Sequence, residues 1–443
     1  MNKLKYLYGP IILLLLTLST CKQVGLEKEE TDNTPTLALA AIALSQNTAA
    51  SAADVVNTYA NIAFANYSDS VTQATALQTA IYTLVGSDTS SDVDSPTSAN
   101  FDAAKTAWLN ARPSYLQTEV FRFTAGPIEE KLETRLPDAE IETLINAWPL
   151  DEAFIDCVIT NTSTTAELTE AKLLSVNGST TVTGCTTYTD TEKNIALGWH
   201  AVEYLLWGAD SSSTTAGTAS VSTLQGSTAN SEQEKRRQYL RIATKLLVDH
   251  ITLVKNRWDA TQDSNYITSF KADPTTSIST IFTGLITFAK GEWGGERLKI
   301  NTSKDQEDEH SCFSDNTKAD FFYDAQGVIN IFTGSYTNTA GEVTSGSGVT
   351  AISGSLASTL STDLTESRDA FCLNVSGSTM ILDSTTCPTA TNSITSKFDS
   401  LSTEDQTDLT TLQTLIGVTI GNNLQTVADN NGISTNVSTK QAE

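Results

Sequence analysis

Positive charge, histidine and proline are all scarce in this chain. Its 443 residues carry 27 Lys and Arg against 52 Asp and Glu, a formal net charge of −25. Phosphate backbones are bound by clustered basic charge, and an acidic body repels nucleic acid and anionic lipid alike, so a nucleic-acid function is excluded and cations are the natural counter-species. Only three histidines exist, His200, His250 and His310. The six cysteines include no C-x-x-C pair, which removes thiolate zinc clusters and C-x-x-C-H haem attachment. There is no Walker A loop, no strand-flanked G-x-G-x-x-G, no G-x-S-x-G elbow and no H-E-x-x-H zinc-peptidase helix. Nine prolines and few strand-like alternations leave helices as the economical reading. Crossing a bilayer takes about 20 apolar residues. The apolar run Ile11 to Leu16 is far shorter, and no other segment is apolar enough to span.

That run has the marks of an address. Lys3 and Lys5 precede it, and Leu18-Ser19-Thr20-Cys21 follows, resembling the site at which bacterial lipoproteins are cleaved and lipidated. Residues 1–20 are therefore expected to be a signal peptide, Cys21 the lipidated first residue, and 21–48 a tether. The corresponding location is an exported lipoprotein anchored at the outer membrane, with plain secretion as the alternative. Of the other cysteines, Cys157 with Cys185 and Cys372 with Cys387 would each close a short Ser/Thr/Gly-rich excursion and leave Cys312 over. The sequence leaves this connectivity open.

From Asp54 the apolar spacing turns helical, and similar periodicity recurs in 70–85, 101–111 and 138–159. Ile195, Trp199, Val202 and Leu206 form one stripe of a helix over 192–207, and Tyr239, Ile242, Leu246, Leu247, Ile251 and Val254 mark another over 232–258. Residues 277–300 and about 401–429 read the same way. Two Ser/Thr/Gly-rich stretches, 209–231 and 336–359, read as connectors. The resulting division is an N-terminal helical half, 49–208, a linker, 209–231, and a C-terminal helical half, 232–436. Small hairpins are expected, if anywhere, within 157–188 and 371–388.

Candidate chemistry centres on His200 and Glu203, three residues apart and so on one helix face. They lie on the stripe Ala196, His200, Glu203, Trp207, about 100° round from the apolar one. A buried ionised Glu needs a cation or a hydrogen-bond donor to meet it. His310 closes the acidic run Asp305 to Glu309 and is followed by Ser311, Ser314, Asp315, Asn316 and Thr317, an oxygen-rich set suited to hard or borderline cations. His250 reads as a helix-face residue without a role.

The segment Gly198-Trp199-His200-Ala201-Val202-Glu203 resembles the GxHxxE signature of the imelysin family of bacterial envelope proteins. Arg112 to Phe123 with Gly126-Pro127-Ile128 resembles that family's first block, and Asn146 to Glu152 with Ile155-Asp156 its second. Gly291-Glu292, Glu296-Arg297-Leu298 and Glu307 to Thr317 resemble the late block, while Ser335 departs where Arg is common. The resemblance implies an all-α fold of two packed four-helix-bundle-like halves with a site at their junction. It implies His200 and Glu203 as metal ligands, with Glu119, Arg122, Asp151 and the Glu309-His310 region nearby. Glu119 is the first choice for a further ligand, its alternative being a salt bridge to Arg122; His310 is the other, and Asp315 a supporting group. The ion is expected to be one Fe or Zn. Iron acquisition, with an uptake partner protein, is the leading function. The alternative is a metallopeptidase of the insulin-cleaving type acting on peptides, with Glu119 or Glu309 as base. A third reading is a surface-exposed interaction protein using the two Ser/Thr-rich loops.

Overall fold

The computed structural model describes residues 34–212, 215–299, 309–372, 390–396 and 398–437. The signal peptide, Cys21 and the Cys372–Cys387 pairing therefore fall wholly or partly outside the described residues. Among the described residues the fold is all-α apart from one two-stranded ribbon. By its own contacts the chain divides at Ser45, and residues 46–443 form a single unit.

Helix α1 (Thr34–Val85) buries a face that includes Val56, Tyr59, Ala63, Tyr67, Leu77 and Ile81, and it stops at Gly86. That stop needs glycine: φ is +85°, and a Cβ there would lie 2.2 Å from the Ser91 carbonyl oxygen. Helix α2 (Ser98–Leu116) is capped by Thr97. Two shorter helices follow, α3 (Glu152–Asn161) and α4 (Glu170–Val176), and the Cys157–Cys185 disulfide ties α3 to the loop after α4. Helix α5 (Gly198–Trp207) is buried at all ten positions and packs between α2 and α6 (Glu232–Arg257). A helix apolar or buried all round belongs at the centre of a protein, which is where this one sits. Helix α6 is capped by Ser231, with Glu232 and Glu234 in its first turn and Lys255 and Arg257 in its last, complementing its dipole at both ends.

Helices α7 (Ile267–Ala272) and α8 (Pro274–Thr287) follow, and α8 runs on as a π-helical segment, Phe288–Glu296. Helix α9 (Thr317–Thr333) packs against α2 and α10 (Ala357–Asp369). Helix α11 (Thr403–Gln413) joins α12 (Gly421–Asn430) through a second π segment, Thr414–Ile420. The two π segments meet at glycines, since a Cβ on Gly294 would stand 2.7 Å from the Gly417 nitrogen. No helix among the described residues is long and apolar enough to cross a membrane.

The ribbon, β1 (Ser335–Thr337) with β2 (Val343–Ser345), is antiparallel and lies in the 336–359 stretch rather than between residues 157 and 188. Three-residue strands are too short to show alternation. What holds them is tertiary: Tyr336 is buried and donates its hydroxyl to Asp69 of α1 at 2.7 Å. The other Ser/Thr/Gly-rich stretch is a loop laid against the body. Gly217 donates its N–H to the Phe313 carbonyl at 2.9 Å and Ala219 to that of Trp207 at 2.8 Å.

Candidate functional site

Helix α5 starts where the backbone turns at Gly198, whose φ is +85° and whose absent Cβ would lie 2.4 Å from the Ile145 carbonyl oxygen. The Trp199 N–H donates to that same oxygen at 2.8 Å. This close approach carries His200 and Glu203 into the core, both with no exposed side-chain surface. The imidazole Nδ1 of His200 lies 2.8 Å from Glu203 Oε2. Glu203 Oε1 accepts from the Ser314 N–H at 2.9 Å and the Ser314 hydroxyl at 2.6 Å. The Trp148 ring sits with its centroid 4.8 Å from that of His200. Burial pushes the Glu203 carboxyl up to about 8, although Ser314 and the charge of Arg112 pull the other way. Burial, reinforced by Arg112, depresses His200 well below the ordinary histidine range. Its Nε2 is buried with no hydrogen-bond partner.

A second imidazole stands beside the first. The rings of His200 and His310 have centroids 5.5 Å apart at 78°. His310 Nδ1 lies 2.6 Å from Asp320 Oδ2, on α9. The same oxygen accepts from the Ser311 hydroxyl at 2.6 Å and the Arg112 guanidinium at 2.7 Å, while Asn316 donates to Oδ1 at 3.0 Å. Against the pull of burial, Arg112 and His310 hold Asp320 well below the carboxylate range. Burial and the charge of Arg297 lower His310 to about 4. Arg112 lies against the rings of Trp108, Tyr115 and Trp199, its guanidinium carbon 5.4 to 5.8 Å from their centroids. Its other terminal nitrogen donates to Asn146 at 2.7 Å.

Asn146 also reaches Glu119 at 3.5 Å, joining this group to a set of ion pairs around Arg297. Arg297 donates to Glu119, to Glu292 at 3.0 Å and to Asp324 at 2.7 Å. Arg122 pairs with Glu119 at 3.0 Å, Glu292 at 3.2 Å and Glu142 at 3.5 Å. The π segment accounts for part of this geometry. Its backbone bonds run from i to i+5, which stacks Glu292 directly under Arg297. Arg297 and Arg122 outweigh burial and hold Glu119 well below the usual carboxylate range. Asp324 is raised by burial, and its Oδ1 is buried without a partner. Three guanidiniums, on Arg112, Arg122 and Arg297, thus pair with five carboxyl groups, on Glu119, Glu142, Glu292, Asp320 and Asp324, while Glu203 is held by His200 and Ser314. The three carboxyls that burial lifts are Glu142, Glu203 and Asp324.

The structure therefore gathers His200, Glu203, His310, Glu119 and Arg122 into connected buried networks. Glu309 is buried at the edge of them and accepts from Thr317 at 2.9 Å. Asp151 caps α3 instead, accepting from the Ala153 N–H at 3.0 Å. Asp315 forms the turn before α9 with φ +56°. His250, given no role above, is buried with Nε2 3.2 Å from Glu133. Beside Arg112 and Arg297, the residue the pattern missed is Asp320. Its only signal was a carboxylate, repeated four residues on at Asp324, inside an otherwise apolar helical window. Among the described residues, no three His, Cys, Asp or Glu side chains converge closely enough to hold a metal ion.

An all-helical fold with a buried His-x-x-Glu pair on its central helix defines a class of protein. The chain belongs to the imelysin family, which it matches over residues 63–379. Two solved structures share the fold. One is a protein from Parabacteroides distasonis ATCC 8503 provisionally named an iron-regulated protein A precursor, with 15% identity, TM-score 0.56, and 86% of this chain and 94% of that one covered. The other is an imelysin-like protein from Psychrobacter arcticum 273-4, with 14% identity, TM-score 0.51, and 86% and 96% covered. No curated protein matches the chain at a significant level.

Proposed function

We propose that this protein binds a metal cation at the His200–Glu203 site and serves iron acquisition as an envelope lipoprotein anchored through Cys21. One observation carries the reading: a fully buried imidazole nitrogen, His200 Nε2, has no hydrogen-bond partner, and its ring is held by a buried carboxyl group, Glu203, that is met by Ser314 rather than by a guanidinium. Buried polar atoms are nearly always satisfied, and uncompensated buried carboxylates are costly, so either protons or a cation must supply the missing positive charge. His200 and Glu203 would hold the ion, which would supply Lewis acidity and charge neutralisation there. The name of the Parabacteroides relative supports the link to iron.

Against the peptidase alternative stands the state of Glu119. A general base works best when its pKa lies near the operating pH, and two guanidiniums hold this carboxylate far below that.

The test is metal content by mass spectrometry on the full-length, tag-free protein and on His200→Ala side by side. About one iron or zinc per chain, lost in the variant, is the expected result. A protein that stays empty after reconstitution with either metal overturns the reading. A peptide-library assay on the loaded protein, with and without chelator, decides the peptidase alternative.

A further inference from the structure

We infer that the cleft between α5, α6 and the 209–231 loop is a binding site for a zwitterionic ligand, a free α-amino acid or a short peptide carrying both termini. The inference goes beyond the cation-binding reading and does not depend on it. A cavity of about 350 Å³ opens there, within the size range of small-molecule sites. Its walls come from the last turn of α5 (Tyr204, Leu205), from the loop (Ala219, Thr223) and from the first two turns of α6 (Glu232, Arg236). The loop reads as a connector in the sequence, but here it is a fastened wall. Ala219 donates its N–H to the Trp207 carbonyl at 2.8 Å, and its own carbonyl accepts from Lys105 Nζ at 3.4 Å.

Charge around the cleft is balanced and yet separated. Arg236 donates through Nη2 to Asp156 of α3 at 2.6 Å and through Nε to Glu232 at 3.0 Å. With Lys105 behind Ala219, two bases stand against two acids, so the cleft exerts no net pull on a simple anion or cation. The carboxylates of Asp156 and Glu232 stay open to solvent, with side chains 42% and 54% exposed. Ion pairs in contact with water add little to stability, so a ligand's own charges can take their places at small cost. The helix ends add a field of the same kind. The C-terminus of α5, with no base in its last turn, is a negative pole at one wall, and the N-terminus of α6 is a positive pole at another. A ligand that carries ammonium and carboxylate a few bonds apart is favoured by both poles, whereas a ligand of one sign is favoured by one and opposed by the other. Leu205, Ala219 and the Tyr204 ring supply apolar surface for an aliphatic side chain.

The test is isothermal titration calorimetry of the full chain, chelated so that no cation takes part, against L-leucine and alanyl-leucine. Both are expected to bind and to compete for one site. Leucinamide lacks the carboxylate and N-acetylleucine the ammonium, and each should bind about 10- to 100-fold more weakly than L-leucine, the range for a lost hydrogen bond to a charged group. Arg236→Gln and Glu232→Gln should weaken L-leucine binding by a similar factor. Thr223→Phe fills the cleft from a partly exposed loop position and should abolish it. Circular dichroism identifies any variant that fails to fold, and the comparison of analogues needs only the native protein. Failure of both L-leucine and alanyl-leucine to bind overturns the inference, and so does a neutral sugar such as glucose binding in their place. Equal affinity for L-leucine and either analogue overturns it too, since one charge would then suffice. L-leucine binding that is unchanged in folded Arg236→Gln and Thr223→Phe proteins would lie outside this cleft and overturns it as well.

Discussion

At the scale of single residues, Arg112 shows what a buried ion pair does in this protein. It and Asp320 are both without exposed side-chain surface, and Asp320 in turn holds His310 and Ser311. Removing one member of such a pair leaves the other charge buried alone, at a cost of about 3–5 kcal/mol. Arg112→Met is therefore expected to lower unfolding free energy by about that amount in a urea titration. A loss under about 1 kcal/mol would mean that Asp320 finds another donor. His250 yields a pH prediction away from the site. Burial lowers its folded-state pKa, so the unfolded chain takes up a proton before the folded one does. Its contribution to stability is complete above the unfolded value of about 6.5 and declines as pH falls below it toward the folded value. His250→Gln should flatten the pH dependence of unfolding free energy in that window. An unchanged slope would assign the dependence to other groups.

At the scale of elements, the π segment Phe288–Glu296 decides whether Glu292 and Arg297 share a face. Gly294 and Gly291 test its packing as a pair. A Cβ on Gly294 would meet the Ala289 oxygen at 2.6 Å and the Gly417 nitrogen at 2.7 Å, both backbone atoms, whereas one on Gly291 meets nothing within 4 Å. Gly294→Ala is expected to destabilise by about 1–3 kcal/mol, the range for overpacking. Gly291→Ala should be neutral or stabilising by up to about 1 kcal/mol. Equal thermal shifts for the two variants would contradict this packing. The same segment marks a limit of periodicity. A 3.6-residue template finds α5 and α6 readily, because each keeps one apolar stripe, but it has no term for bonds from i to i+5. The β ribbon escaped for a related reason, its strands being only three residues long.

At the scale of the whole molecule, the disulfide joins Cys157 to Cys185 across a sequence separation of 28. Loop closure of that length contributes about 3–4 kcal/mol through the unfolded state. Paired Cys157→Ser and Cys185→Ser substitutions should cost about that much in denaturant unfolding. A loss under about 1 kcal/mol would mean that the link constrains the unfolded chain little.

His200 and Glu203 were legible as a pair because both lie on one short helix, where spacing in sequence is spacing in space. The all-helical class was equally legible, since amphipathic stripes of fixed period announce it. Asp320, Arg112 and Arg297 were not assigned to the site by sequence. Their significance depends on which oxygen faces which nitrogen across α2, α9 and the π segment, residues up to 208 apart along the chain. The sequence by itself therefore determined the helical class, the acidic character and the His-x-x-Glu pair, all of which are local properties. Only the tertiary structure decided that a second imidazole stands beside the first, that Arg297 joins Arg122 on Glu119, and that Asp320 meets Arg112. Those are contacts between distant segments, and they exist only once burial has driven the segments together.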